Sequence, residues 1–457
     1  MSPPSAIPNG LPSPRRQWAI VAMWFALAAS VIDQSMISVA LPTIARDLNV
    51  EPSFAIWIIN AYQVTIMMSL LPLAALGDIF GYSRIYLGGL VVFTVASLVS
   101  ALSDGLTSLV LARVLQGFGA AGLMSVNMAL VRFTYPVEML GKGIGLNALV
   151  LAVAAAAGPT IASGILAVAP WRWIFAVSVP IGIASFAIGI WAFPDSPRQR
   201  RRFDYISAAL SAAAFGLLIL FVDTLGRGGS MWLLSAEIGF FILSGAFLLR
   251  RQVSATAPLL PVDLLRIPIF ALSIATSICS FVAQTLAVIS LPFFMQTNLG
   301  RTAVQTGLLM APWPIGTSLL APIAGRLSDK YPAGLLGLLG LLGFGAGLAA
   351  LALLPPHAGI LDIAWRMALT GMGFGLYQSP NNRTMITSAP RERSGGAAGM
   401  QGMARLLGQS VGAAFTAILF GVLAANAAPV VALWLAVAFA VLGAVVSSLR
   451  LTDLTKK

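Results

Sequence analysis

Apolar residues run along this chain in blocks of about twenty, separated by short connections rich in Gly, Pro, Arg and Asp. A block of that length, wound as a helix at about 1.5 Å per residue, crosses a ~30 Å hydrocarbon core. The pattern predicts fourteen spans: 17–42, 54–76, 84–103, 107–131, 140–168, 172–193, 204–223, 231–249, 268–294, 303–325, 332–354, 358–380, 394–424 and 429–449. The turn Gly226-Arg227-Gly228-Gly229 separates the seventh span from the eighth, and Arg-rich segments flank that pair. The expected fold class is an all-α membrane protein, because helices satisfy their own backbone polar groups in lipid.

Composition agrees. Of 457 residues, 58% are apolar and 9% are charged, with mean hydropathy +0.90; a soluble domain carries roughly 25% charge. The net charge of +12 sits in the connections between spans, so it is no nucleic-acid footprint. If both termini are cytoplasmic, the inner segments hold most of the 27 Lys and Arg. The outer segments hold only Arg46, Arg172, Arg227 and Arg301, while Arg113, Arg366 and Arg405 fall inside spans. That bias orients the chain by the positive-inside rule; the expected location is a bacterial-type inner membrane. The single cysteine, Cys279, excludes an internal disulfide. Residues 1–16 lack the apolar region of a cleavable signal peptide and read as a disordered cytoplasmic tail.

A short constellation occurs twice. Asp78 follows an apolar span, then come Gly117-x-Gly119 and Asn127; Asp329 follows another, then come Gly371-x-Gly373 and Asn381. A membrane chain whose halves repeat reads as two helical bundles moving about a central site, the build of secondary transporters. Residues 17–193 then form one six-helix bundle and 268–449 the other. Residues 194–267 insert two further helices with basic flanks, and 450–457 form a second cytoplasmic tail.

The motifs resemble those of the major facilitator superfamily, and within it the fourteen-span drug:proton antiporter branch (EmrB/QacA type). Span 1 carries Ile32-Asp33-Gln34 and Val39-Ala40-Leu41-Pro42, and the next loop carries Gly77-Asp78-Ile79-Phe80-Gly81-Tyr82-Ser83-Arg84. Span 4 carries Ala112-Arg113-Val114-Leu115-Gln116-Gly117, span 5 Gly158-Pro159, and span 12 Tyr377-Gln378-Ser379-Pro380-Asn381-Asn382. Trp171-Arg172-Trp173-Ile174-Phe175 opens span 6. The chain departs from the pattern at Ala74, Ile79 and Tyr82 in the first loop, and at Ala162 and Ser163, which replace two glycines of span 5. The resemblance implies two pseudo-symmetric six-helix bundles that alternate access. It also implies a cytoplasmic latch around Asp78 and Arg84, with Asp329 and Lys330 as the counterpart.

Ionisable groups inside spans are costly and are candidate functional groups. Asp33 and Arg113 lie at similar depth, so a proton-switching carboxylate or a fixed ion pair is expected there. Gln116, three residues on, shares Arg113's helix face. Gly158-Pro159 marks a hinge or a tight seam. Glu237 in span 8 has no evident partner, Asp223 lies at a span mouth, Asp362 and Arg366 are spaced to pair, and His357 lies in a loop. Arg405 has no acid on its own span. Cavity candidates are Trp57, Asn60, Tyr62 and Gln63 in span 2, with Gln116 in span 4. In the second half they are Gln284, Phe293, Trp313, Tyr377, Asn381 and Arg405.

The function these observations imply is proton-coupled export of lipophilic drugs or biocides. The driving force is the proton gradient, and no cofactor or metal is expected. The partners are a small-molecule substrate, protons and membrane lipid, not nucleic acid, and a monomer suffices. Export or uptake of one metabolite is the alternative. One His, one Cys and no clustered acids argue against a membrane-embedded enzyme. With Asp33 as the main interior negative charge, monovalent lipophilic cations or neutral compounds are expected to be preferred over dications.

Overall fold

The computed structural model describes residues 10–136, 139–196, 203–226, 229–253, 262–390 and 394–454. Among these residues there is no β-strand. In the first half the helices are α1 (Arg15–Asp47), α2 (Pro52–Ala55), α3 (Trp57–Phe80), α4 (Tyr82–Ala101), α5 (Leu106–Thr134), α6 (Leu140–Val168), α7 (Arg172–Ala176) and α8 (Ser178–Ala192). A pair follows, α9 (Tyr205–Gly226) and α10 (Met231–Val253). The second half holds α11 (Pro268–Phe293), α12 (Ala303–Met310), α13 (Pro312–Leu327), α14 (Ala333–Ala352), α15 (Ile360–Ser388), α16 (Ser394–Val422) and α17 (Ala428–Leu454).

Local chemistry explains the breaks. Pro312 opens α13 at its first turn, where a missing N–H costs nothing, so one apolar stretch becomes α12 and α13. Gly81, at φ +100°, makes the sharp turn from α3 into α4. Thr302 caps α12 by accepting from the Gln305 amide, and the Gln305 side chain accepts from the Thr302 amide in return.

Twelve helices among the described residues are long and apolar enough to cross a membrane. Of the fourteen spans the pattern predicts, two fall short. Span 204–223 corresponds to α9, whose apolar stretch is Tyr205–Phe221. Span 358–380 lies within α15, which carries Asp362, Arg366, Asn381, Asn382 and Arg383. Helix α15 packs between α13 and α14, and its charged side chains are met by ion pairs, Arg366 with Asp362 and Arg383 with Asp329.

The repeated glycines have one structural purpose. A Cβ on Gly117 would strike Tyr62 O and Thr65 of α3, and one on Gly119 would strike the Phe93 backbone of α4. In the second half Gly371 meets Trp313 O of α13 and Gly373 meets the Phe344 backbone of α14. Each Gly-x-Gly thus lets one helix sink between two neighbours, a small-residue seam in both halves.

The halves meet along α1 with α11 and α12, α6 with α12 and α13, and α16 with α2 and α3. Arg46 at the end of α1 donates to Gln296 Oε1 at 3.0 Å. The pair α9–α10 seats its first helix against α3 of one half and α16 of the other. Arg251 of α10 closes that pair on Asp204 at 3.2 Å.

Two expectations change. Residues 450–454 do not form a tail: α17 runs to Leu454, and Arg450 is buried. The expected tail 1–16 ends where α1 begins at Arg15, whose side chain donates to Ala192 and Phe193 carbonyls. Residues 1–9, the basic run Arg198 to Arg202 and residues 455–457 lie outside the described residues, as does the side chain of Asp223.

Candidate functional site

The polar centre of the first half is assembled by three helices. Alpha-helix α1 places Asp33 there, α5 places Arg113 and Gln116 one turn apart, and α3 supplies Tyr62 and the Ile58 carbonyl. Arg113 NH1 lies 2.7 Å from Asp33 Oδ2, with the two side chains 1% and 0% exposed. Arg113 NH1 also donates to Gln116 Oε1, and Nε donates to Ile58 O at 3.1 Å. Gln116 Nε2 donates to Asp33 Oδ1 at 3.0 Å and to Ser97 Oγ at 2.9 Å. The guanidinium carbon of Arg113 lies 4.1 Å from the Tyr62 ring centroid, a cation–π contact strengthened by exclusion of water.

This arrangement has a clear energetic logic. A buried carboxylate without a partner is expensive, and both oxygens of Asp33 are satisfied by Arg113 and Gln116. Gln116 is pinned in its orientation because its amide donates to Asp33 and Ser97 while its carbonyl accepts from Arg113.

Beside this centre lies a guanidinium of different character. Arg405 lies on α16, which packs against α3. The residue is partly exposed, yet its Nε is sealed from solvent without a hydrogen-bond partner among the described residues. Asn60 Nδ2 and Oδ1 and Gln63 Oε1 on α3 are likewise buried and unpartnered.

The sequence candidates in the second half form a separate cluster. Arg450 NH1 donates to Asn381 Oδ1 at 2.8 Å and Ser273 Oγ at 3.1 Å, and NH2 donates to Ser447 Oγ at 2.5 Å. Ser280 Oγ donates to Tyr377 OH at 2.7 Å, and Asn381 Nδ2 donates to Ser273 O at 3.2 Å. Arg450 was placed by hydropathy in the cytoplasmic tail; its one sequence signal is that it ends an apolar run four residues before the helix does. Trp313 and Phe293 pack edge-on against Phe344 and Phe420, at 5.7 Å and 4.9 Å, and Trp57 lies at the start of α3. Gln284 is partly buried on α11. Among the described residues, Trp313, Phe293 and Gln284 make no bond to the Asp33 cluster.

The latch candidates have local partners. Asp78 Oδ1 accepts from Tyr82 OH at 2.7 Å, and Asp329 Oδ1 accepts from Arg383 NH1 at 2.5 Å. Arg84 and Lys330 lie beside them in sequence, at the starts of α4 and of the connection to α14. At the hinge candidate, Gly158 abuts Ser35 of α1, and Pro159 O with Ser163 abuts Gly307 of α12, so this site is a seam between the halves. Glu237 Oε1 accepts from Thr224 Oγ1 at 2.9 Å, linking α10 to α9. Asp362 and Arg366 pair at 3.1 Å, as their spacing predicts. Among the described residues no group of His, Cys, Asp or Glu is arranged to hold a metal.

Comparison with known proteins follows the same lines. The family model described as Major Facilitator Superfamily matches residues 23–413 and 278–457. An uncharacterized transporter YebQ of Escherichia coli K12 is 52% identical over 452 residues, covering 98% of this chain and 99% of that protein. The riboflavin transporter RibZ of Clostridioides difficile is 27% identical, covering 89% of each chain. Other relatives, 26% to 28% identical, bear the names of drug-resistance, export and efflux proteins. Among solved structures, a bacterial homologue of the human lysosomal transporter Spinster shares the fold, with a TM-score of 0.69 at 14% identity over 96% of this chain and 97% of that one. The chain belongs to the Major Facilitator Superfamily, a family of membrane transporters and not of enzymes.

Proposed function

We propose that this member of the Major Facilitator Superfamily is a proton-coupled exporter of lipophilic drug-like or biocidal molecules. It works by alternating access, and Asp33 is the group that takes up and releases the proton. The observation that carries this reading is the fully buried Asp33 held between Arg113 and Gln116. A carboxylate stabilised by a neighbouring guanidinium and destabilised by burial changes protonation when either influence shifts. Rocking of the halves about the α6–α12 seam would shift both. The drug-resistance relatives support the choice of substrate class.

In this reading the polypeptide crosses the inner membrane fourteen times with both termini in the cytoplasm, and α9–α10 form an inserted hairpin. What supports it is the packing of α15 within the second half and of α9 across α3 and α16. Export or uptake of one specific metabolite is the second reading. The unpartnered guanidinium of Arg405 favours it, because a fixed interior charge selects for a particular ligand group.

The test is flux. In proteoliposomes with an imposed pH gradient, Asp33→Asn should bind substrate yet fail to concentrate it, while wild type concentrates it. An Asn variant that still drives uphill transport removes Asp33 from the coupling step.

A further inference from the structure

The charges in the middle of the molecule do not cancel. Away from the helix ends, where Arg46 already bonds Gln296 across the halves, the charged groups on α1, α5 and α16 are Asp33, Arg113 and Arg405. Asp33 and Arg113 neutralise each other at 2.7 Å. Arg405 has no hydrogen bond or ion pair among the described residues, and its Nε is buried. The other interior guanidiniums are occupied: Arg366 by Asp362, and Arg450 by Asn381, Ser273 and Ser447. Arg405 thus leaves one uncompensated positive charge where two halves of a transporter meet.

Orphaned polar atoms gather at the same seam. Ser53 lies beside Gly421 and Leu70 lies beside Gly402, so α2–α3 and α16 run antiparallel in a defined register. That register brings Gln63 level with Gln409 and Ser410, about one turn from Arg405. Gln63 Oε1, Ser410 Oγ, Arg405 Nε and both polar atoms of Asn60 are buried without partners among the described residues. Burying polar groups unsatisfied is costly, and an unpaired interior cation more so. Such groups persist in membrane helices where function requires them.

We propose that Arg405 is the specificity residue of the substrate site and that the substrate is an amphipathic molecule carrying an anionic oxygen group. A carboxylate, phenolate or phosphate matches the planar fork of a guanidinium. Gln63 Oε1 accepts only, so the ligand also presents an O–H or N–H towards α3. Aromatic surface on the ligand meets Tyr62, which carries the Arg113 cation–π contact on the helix that α16 packs against. The inference deepens the transporter reading above and rests on it. It reverses the charge preference expected from Asp33 alone, since Asp33 is already neutralised and the excess interior charge is positive.

The experiment uses two dyes of one ring system on the purified full-length protein in detergent. Carboxyfluorescein is the anion and rhodamine 6G the cation, with binding read by fluorescence polarisation. Aromatic carboxylates, phenolates and phosphate monoesters serve as unlabelled competitors. Wild type should bind at least one anion of this panel tenfold or more tightly than the cation. Arg405→Gln should lose that tenfold, Arg405→Lys should retain most of it, and Gln63→Leu should weaken it through the other half of the site.

If the Gln variant fails to fold, phenylglyoxal modification of wild type decides, because a bound anion should protect Arg405 as read by peptide mass spectrometry. Binding of anions that ignores Arg405, or no preference for any anion in the panel, overturns the proposal. A parallel flux assay separates the two readings. Uphill transport of the cation, unchanged in Arg405→Gln, sinks this inference and leaves the transporter. Arg405-dependent anion binding with no transport of any panel member does the reverse.

Discussion

At the scale of single residues, the Asp33–Arg113–Gln116 cluster is closed on itself, and its members are not interchangeable. Removing one partner of a buried pair leaves an uncompensated charge, at a cost of about 3–5 kcal/mol, whereas replacing both by neutral groups is often nearly neutral. Arg113→Leu should therefore lower the thermal midpoint in detergent sharply. Adding Asp33→Asn to it should restore most of the loss while coupled transport stays absent. A double variant no more stable than Arg113→Leu would show that packing around Arg113, and not the Asp33 charge, dominates. The types and depths of Asp33 and Arg113 were legible in the sequence, because a charge in an apolar run stands out. The bond from Gln116 to Ser97 was not, since Ser97 sits on α4 and nothing local marks a hydroxyl as a partner. Arg450 was missed for the opposite reason: at the end of an apolar run a charge looks like a membrane boundary, and only the surrounding α11, α14 and α15 enclose it.

At the scale of elements, close helix approach decides where the halves touch. Gly307 of α12 lies against Pro159 O and Ser163 of α6, with no room for a Cβ. Gly307→Val should prop α12 away from α6 and loosen the end of α1 that Arg46 and Gln296 tie together. A cysteine at position 296, in a Cys279→Ser background, should then react faster with a membrane-impermeant maleimide. An unchanged rate would mean the halves are held elsewhere. The repeated Gly-x-Gly motifs predict matched effects, since both bury against backbone. Gly119→Leu and Gly373→Leu should each lower expression of folded protein, measured by fluorescence-detected size exclusion, and one tolerated without loss would break the equivalence. Sequence displayed the repeat plainly. It did not display which neighbours the glycines admit, because helix order in space is not written in helix order along the chain.

At the scale of the whole molecule, the number of crossings follows from α9 and α15. Helix α15 is too polar to be recognised by hydropathy alone, yet at 29 residues it packs between α13 and α14. Helix α9 offers an apolar stretch of 17 residues, from Tyr205 to Phe221, about the minimum for a span. If both cross, the loop between α9 and α10 lies outside. A reporter fused after residue 228 should then give alkaline phosphatase activity, while green fluorescent protein fused after residues 199 and 255 should glow. Cytoplasmic fluorescence at 228 would reduce the hairpin to a surface pair and the crossings to twelve.

The sequence by itself determined the membrane as solvent, the all-helical class, the duplicated halves and the ionisable residues that stand out against apolar surroundings. Each of these is local or periodic: hydrophobic blocks have a length, a repeat has a spacing, and a charge in lipid is conspicuous wherever it falls. Tertiary structure decided which partners complete the pairings. It closed the expected Asp33–Arg113 pair, joined Gln116 of α5 to Asp33 of α1 and Ser97 of α4, and drew Arg450 into the second half with Asn381. It also left Arg405, on the helix packed against α3, without a counter-ion among the described residues. Whether a buried charge is neutralised depends on side chains tens to hundreds of positions away. Their meeting is set by how whole helices pack, which no local pattern records.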